Sequence, residues 1–177
     1  ILLHAYVSIN QPVHSELAEQ RSFEFTLQAA TDRNKRRALK QLQRIHTPKN
    51  GNYSDFSDLV VQRKWLSKLN GVAYQKNPTF INLNCVLSTH LTFRKKLNFF
   101  KAFDFSFTHL WKEFLKINFF ITVPEIMVPI FFIAGKHDKI TFTDLIEEYF
   151  HFVKADHKQL IVFENSGYLV PFDNTTK

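Results

Sequence analysis

A carboxylate at the mouth of a sheet is the first feature of this sequence that could do chemistry. Asp138 stands three residues beyond Gly135, and Gly135 closes the apolar run IFFIAG that follows Pro129. A short apolar run between a proline and a glycine marks a parallel strand buried on both faces. Ligands of parallel α/β sheets gather outside the carboxyl ends of such strands. An aspartate there can orient a reacting group, or it can hold the turn and cap the next helix, which Asp also favours.

Residue counts exclude most other chemistries. Cys85 is the single cysteine, so an internal disulfide, a CxxC pair and a multi-thiolate zinc site are impossible, and a reducing, cytoplasmic compartment fits best. Gly51, Gly71, Gly135 and Gly167 are the only glycines and no two lie within a turn of each other. GxGxxG, the Walker loop and the GxSxG nucleophile elbow therefore cannot occur in this chain. Ser8, Ser15, Ser54 and Ser57 then read as surface or capping residues. No His, Asp or Glu pair has metal-ligand spacing, so neither a metal nor a cofactor is expected. Asn52-Tyr53-Ser54 and Asn174-Thr175-Thr176 match the glycosylation sequon. They read as chance matches, because the opening ILLHAYVSIN lacks the basic n-region of a secretory signal.

The chain is basic, with formal net charge +7 and pI near 9.5, which favours anionic surfaces without naming one. Arg33, Arg36, Arg37, Lys40 and Arg44 fall at spacings that would stack five positive charges on one helix face. That stripe is either the solvated outer face of a helix or a contact for phosphate, acidic lipid or acidic protein. Nucleic acid is disfavoured because no aromatic side chains interleave with it as stacking platforms. Phe93, Phe99, Phe100, Phe103, Phe105 and Phe107, with Arg94, Lys95, Lys96 and Lys101 among them, form the most apolar part of the middle of the chain. They suit a lid over an apolar pocket or a membrane-surface helix, and packing of helices against a sheet accounts for most of them.

The elements that must position Asp138 follow from periodicity. Residues 1–9 read as a buried strand ended by Gln11-Pro12. Leu17, Phe23, Leu27 and Ala30 predict a helix over 13–31, and Ala38, Leu39, Leu42 and Ile45 a second one stopped by His46-Thr47-Pro48. After a polar connector over 46–58, Leu59, Val61, Trp65, Leu66 and Leu69 predict a helix closed by Asn70-Gly71 in the left-handed region. Two more helices are predicted over 79–100 and 106–119. Then come IFFIAG, a helix over about 143–154 and the buried strand of QLIVFEN, which make a parallel βαβ unit. With 45% apolar and 22% charged residues the chain folds. No run spans a membrane, since Asn118, Thr122, Glu125 and two prolines interrupt Ile117 to Ala134.

The stretches AATDRNKRRALKQLQRI, DLVVQRKWLSKLNG, LWKEFLKINFF, VPEIMVPIFFIAGKHD and LIVFENSGYLVPF together resemble the lid and C-terminal part of proline iminopeptidase-like serine hydrolases of the α/β-hydrolase superfamily. The likeness covers nearly the whole chain. It implies a partial α/β-hydrolase fold: residues 1–10 a core strand, 11–124 a helical cap inserted after it, and 125–177 a C-terminal βαβ part, with three parallel strands in all. It also implies a Ser-His-Asp triad acting on a peptide, ester or small amide, with Asp138 as the acid. The family's base follows the last strand in a stretch like Glu164-Asn165-Ser166-Gly167, and here Tyr168 takes the histidine's place. A phenol of ordinary pKa about 10 cannot take a proton from serine as imidazole does. His157 precedes the strand and should sit at the opposite edge, and His137 adjoins Asp138 without being aimed at it.

The reading of the sequence is therefore a C-terminal portion of a serine hydrolase, inactive alone, because the nucleophile elbow would lie upstream of Ile1. The alternative is a non-catalytic binding module whose basic helix takes an acidic partner. An apolar strand 1–9 left without its neighbour is expected to drive self-association.

Overall fold

The computed structural model describes residues 3–45, 51–75 and 92–173. Strand β1 (Tyr6–Ile9) ends at Asn10, whose φ of 43° turns the chain out of the sheet. Asn tolerates this left-handed conformation because its short polar side chain can bond nearby. Helix α1 (Ser15–Asp32) starts where the His14 ring accepts from the Leu17 amide at 3.3 Å, and it stops at Arg33 before a left-handed Asn34. After α2 (Arg36–Leu42), helix α3 (Phe56–Lys68) begins at Asp55, whose carboxylate accepts from the Asp58 amide at 3.0 Å. Such a side-chain cap satisfies one of the orphan amides of a first turn. Helices α4 (Phe93–Leu115) and α5 (Phe119–Thr122) and strand β2 (Glu125–Ile126) follow. The chain then runs through β3 (Ile130–Gly135), α6 (Thr143–Phe152), β4 (Lys154–Ala155), β5 (Lys158–Phe163) and α7 (Val170–Asp173).

The three-stranded sheet has the order β1-β3-β5 and is parallel throughout, with Ile9 beside Ile133 and Ile133 beside Ile161. β2 and β4 form a separate two-stranded parallel pair. The class is thus α/β, with a block of helices between the first and second strands of the sheet, as the sequence pattern implies. β3, α6 and β5 are the predicted βαβ unit.

Two cores stabilise this arrangement. In the first, Ile130, Phe132 and Ala134 of β3 pack on Leu145, Ile146 and Tyr149 of α6. The Tyr149 hydroxyl donates to the Val123 carbonyl at 2.7 Å, and burial pushes the phenol up to about 12. In the second, Phe23, Ala30, Ala38, Leu42, Trp65 and Leu69 close the helical block. Helix α1 contributes to both, Ala18 to the first and Phe23, Ala29 and Ala30 to the second. It is the beam that ties the block to the sheet.

The opposite face of the sheet is open. Val7 and Ile9 of β1 are 53% and 50% exposed, and Ile161 of β5 is 37% exposed. Alternation along a strand puts these residues on the side away from Phe132 and α6. The expectation of a buried first strand is corrected here: only Ser8 of Tyr6–Ile9 is buried, because β1 lies at the edge of the described sheet with one face uncovered.

Other expectations are corrected in detail. The helix expected over 106–119 begins at Phe93 and runs unbroken to Leu115. KAFDF, at the supposed joint, contains neither Gly nor Pro to break it. Most of the helix expected over 79–100, Cys85 and the Asn174 sequon lie outside the described residues, as do the side chains of Phe93, Arg94, Lys96, Phe99 and Phe100. Phe103 and Phe105 are more than half exposed, and Phe107 packs on Phe56 and Trp111 rather than on the sheet. The left-handed residue closing α3 is Asn70 (φ 63°), while Gly71 serves a close approach, since a Cβ there would come 2.3 Å from Leu66 Cδ1.

The tightest approach lies at the end of β3. A Cβ on Gly135 would meet the Gly167 carbonyl oxygen at 2.1 Å and the Ser166 carbonyl oxygen at 2.8 Å. Both are backbone atoms that cannot rotate away. Gly135→Ala should therefore cost about 2–4 kcal/mol of stability, in the range of strained backbone substitutions. Urea unfolding of the two proteins measures it, and an unchanged midpoint would show that the two loops do not touch.

Candidate active site

Three segments meet at the carboxyl ends of the parallel strands. Asn10 joins them: its carboxamide oxygen accepts from the Gly135 amide at 3.1 Å, and its nitrogen donates to the carbonyls of Gly167, at 3.3 Å, and Tyr168. The end of β1, the end of β3 and the loop after β5 are thereby held together by one side chain that is 3% exposed. The His137 amide donates to the Ser166 carbonyl at 2.8 Å, a second tie between the same two loops.

Asp138 is completely buried at this edge. Its amide closes a turn on the Gly135 carbonyl at 2.9 Å. Oδ1 accepts from the amides of Ile140 at 2.7 Å and Thr141 at 3.1 Å, and Oδ2 accepts from the Thr141 hydroxyl. Burial pushes the carboxyl above the ordinary range, while those hydrogen bonds and the nearby Lys139 charge pull it down. The local sequence produces this turn: G-K-H-D-K-I-T places an Asp where its carboxylate can bond amides two and three residues ahead.

Tyr168 is half-buried in the loop that Asn10 holds against Gly135. Burial raises its phenol pKa first, and the charge on Asp138 raises it further, whereas the Arg63 guanidinium opposes both. The two residues singled out from the sequence therefore share one electrostatic environment, although no hydrogen bond joins them among the described contacts. Near neutral pH Tyr168 is a neutral hydroxyl, able to donate a hydrogen bond and unable to act as a base.

Among the described contacts, neither His137 nor His157 bonds the Asp138 carboxylate. His137 stacks on Tyr74 with ring centroids 4.4 Å apart. His157 marks the amino-terminal edge, its carbonyl accepting from the Ile130 amide at 2.9 Å. Ser8, Ser15 and Ser166 are buried, and Ser57 donates to the capping Asp55 at 2.6 Å. None of these is presented as a nucleophile. No group of His, Cys, Asp or Glu among the described residues could hold a metal.

The segment that follows α3 meets these loops. The Gly71 carbonyl accepts from the Lys139 amide at 3.0 Å, and Asp173 accepts from the amides of both Tyr74, at 3.0 Å, and Gly167, at 2.8 Å. A Cβ on Gly167 would come 2.6 Å from the Val72 carbonyl oxygen, so segment 71–74 rests directly on the loop carrying Tyr168. Further in, Glu19 pairs with Arg63, and Gln62, wholly buried, donates to Ser22 Oγ and Thr26 Oγ1 at 3.1 and 3.0 Å. Burial raises the Glu19 pKa and Arg63 opposes the shift.

Sequence reasoning missed Asn10, Thr141, Glu19 and Arg63. A signal for some of these existed. Glu19 interrupts the apolar row that continues at Phe23 and Leu27, and Gln62 the row that continues at Trp65, Leu66 and Leu69. A polar residue inside an apolar stripe must find a buried partner. The basic stripe also differs from its expectation. Arg33 caps α1 and Arg44 follows α2, so only Arg36, Arg37 and Lys40 lie on the helix itself, although all five are exposed. The left-handed Asn34 breaks the single helix that the spacing assumed.

No protein-family model matches the chain, and no solved structure matches it. Among curated proteins it is similar to Probable aminopeptidase YbaC of Bacillus subtilis (strain 168), with 37% identity over 75 residues. That match covers 42% of this chain and 24% of the relative, so it spans about a quarter of the relative's length. It supports a hydrolase-like relationship over part of the chain.

Two measurements check the site. Asp138→Ala strands two backbone amides and a hydroxyl and should cost about 2–3 kcal/mol, whereas Asp138→Asn keeps one carbonyl acceptor and should cost less. The second concerns Tyr168. Its folded pKa is raised, so it binds its proton more tightly than in the unfolded chain, and its contribution to stability is lost as pH climbs past about 10. Asp138→Asn removes a negative charge and should shift the ultraviolet titration of Tyr168, isolated by comparison with Tyr168→Phe, to lower pH. A titration that does not move would place the two groups in separate environments.

Proposed function

We propose that this chain is the acid-bearing portion of a capped serine hydrolase of the proline iminopeptidase-like type, in which residues 11–124 form the lid. Asp138 occupies the acid position and Tyr168 the position of the base. The observation that carries the proposal is the meeting of the Asp138 turn and the Tyr168 loop at the carboxyl edge of a parallel sheet, beneath helices inserted after the first strand. The partial similarity to a probable aminopeptidase supports the same reading. So does the open side of β1, which suits a further parallel strand bearing a nucleophile elbow.

The chemistry follows from what the pieces can and cannot do. In acyl transfer by such a triad, an imidazole takes the proton of the serine hydroxyl as it attacks the carbonyl carbon, then returns it to the leaving amine or alcohol. A buried carboxylate fixes the imidazole's tautomer and stabilises the cation that forms. The turn at Asp138 is suited to that task, with one oxygen held by two amides and the other by a hydroxyl. The step that fails is proton transfer: Tyr168 is held in its protonated form and cannot become a cation for Asp138 to stabilise. The substrate class is a peptide, ester or small amide, and Tyr168 in the base position blocks the proton transfer that its hydrolysis needs.

The decisive experiment uses a polypeptide extended upstream through the nucleophile-bearing strand. With Tyr168 in place it should turn over a nitrophenyl ester or a prolyl arylamide negligibly. Tyr168→His should raise kcat/KM by roughly 10³-fold or more, and adding Asp138→Asn should remove about 10⁴-fold of a working triad's rate. A serine that reacts with a fluorophosphonate probe, combined with no gain from Tyr168→His, would defeat the proposal.

A further inference from the structure

Among the described residues, the corner between α1 and α3 gathers positive charge alone. Arg33, Lys35, Arg36, Arg37, Lys40 and Arg44 are all exposed within twelve consecutive residues, and Lys64 of α3 joins them through Gln41, whose side-chain oxygen accepts from Lys64 Nζ at 3.4 Å. All 16 acidic side chains of the chain lie among the described residues. None of the ion pairs found there includes a cation of this corner: they join Arg21 to Asp144, Arg63 to Glu19, Lys116 to Glu113 and Lys136 to Glu164. Asp32, the acid nearest in sequence, accepts from Gln28 at 2.7 Å. The charges also stand on a rigid base, because Ala38 and Leu42 on the underside of α2 are wholly buried and Ile45 nearly so. Keeping so many like charges together on a fixed platform raises the self-repulsion of the fold unless an external anion offsets it.

We propose that this corner is a docking surface for a membrane carrying anionic phospholipids. The shape and chemistry of the surface select that partner. It is built on the short α2, and Trp65, which donates to Gln41 beside it, is 8% exposed and lies under Lys64 and Lys68 as a cation–π partner. A nucleic acid strand would require exposed stacking platforms or an element long enough to lie in a groove. The seven residues of α2 give about 10 Å of helix and no such platform. A planar anionic surface needs neither, since a polybasic patch is attracted by surface potential alone. The inference does not depend on whether the triad works.

Co-sedimentation of the full chain tests it. The chain should bind phosphatidylcholine vesicles containing phosphatidylserine, should ignore pure phosphatidylcholine, and should be released by salt. Arg36→Glu, Arg37→Glu and Lys40→Glu together should lower partitioning at least about tenfold, given the contribution of each basic residue near such a surface. A control triple, Lys112→Glu, Lys116→Glu and Lys154→Glu, makes the same change in net charge on other exposed positions and should retain most of the binding. If the first triple fails to fold by circular dichroism, the corresponding glutamine substitutions carry the same comparison. Equal losses in both triples, no binding to the acidic vesicles, or tighter binding to duplex DNA at the same salt would each overturn the proposal.

Discussion

One buried carboxamide holds the functional edge of this molecule together. Asn10 ends β1, accepts from the amide that ends β3 and donates to two carbonyls of the loop after β5. Parallel strands need such a device more than antiparallel ones. Their carboxyl ends point the same way, each leaves its last backbone groups unpaired, and no short hairpin joins them. A single side chain that both accepts and donates satisfies three of those groups at once, and removing it would strand them in a site shielded from water, at about 1–3 kcal/mol for each group left unmet. The left-handed backbone of Asn10 is part of the same solution, since it aims the side chain back across the sheet. Asp138 and Tyr168 come near each other because this clamp brings their loops into contact.

The helical block is fastened to that edge by backbone more than by side chains. The Gly71 carbonyl accepts from the Lys139 amide, the Tyr74 amide donates to the Asp173 carboxylate, and Gly167 lacks the Cβ that would keep Val72 away. Elsewhere the join is thinner: the Arg21–Asp144 pair is largely solvent-facing, and Lys139 lies over the rings of Phe25 and Phe142. An exposed ion pair of that kind contributes at most about 1 kcal/mol. The hydrogen-bonded join thus lies beside the Tyr168 loop, while α1 carries the apolar one.

The architecture was legible in the sequence wherever apolar period and punctuation agreed. IFFIAG between Pro129 and Gly135 gave β3, the apolar spacing in α1, α2 and α3 gave those helices to within a few residues, and strand–helix–strand order gave the parallel sheet. Errors arose where one sign was read without its partner. The apolar residues of 1–9 suggest burial, yet apolarity says only that a surface wants covering, and the cover for Val7 and Ile9 is not among the described elements. The stripe from Arg33 to Arg44 had helical spacing, yet spacing is silent about Asn34, whose left-handed φ splits it across two helices. Asn10 and the Glu19–Arg63 pair join residues far apart in the chain, and no local pattern encodes such a contact beyond a polar residue in an apolar row.

The two candidate residues differ in what they can establish about activity. Every bond made by the Asp138 carboxylate lies within its own turn, to Ile140 and Thr141, and the turn needs those bonds whether or not any substrate exists. A buried aspartate with that local role is explained by the turn alone, so its presence does not by itself report on activity. Tyr168 is held by its carbonyl, which accepts from Asn10, while its ring is half-buried. Residue 168 is thus positioned by its backbone, while its half-buried ring takes no part in the clamp. At this edge the backbone clamp and the Asp138 turn set the geometry, and neither depends on which side chain residue 168 carries.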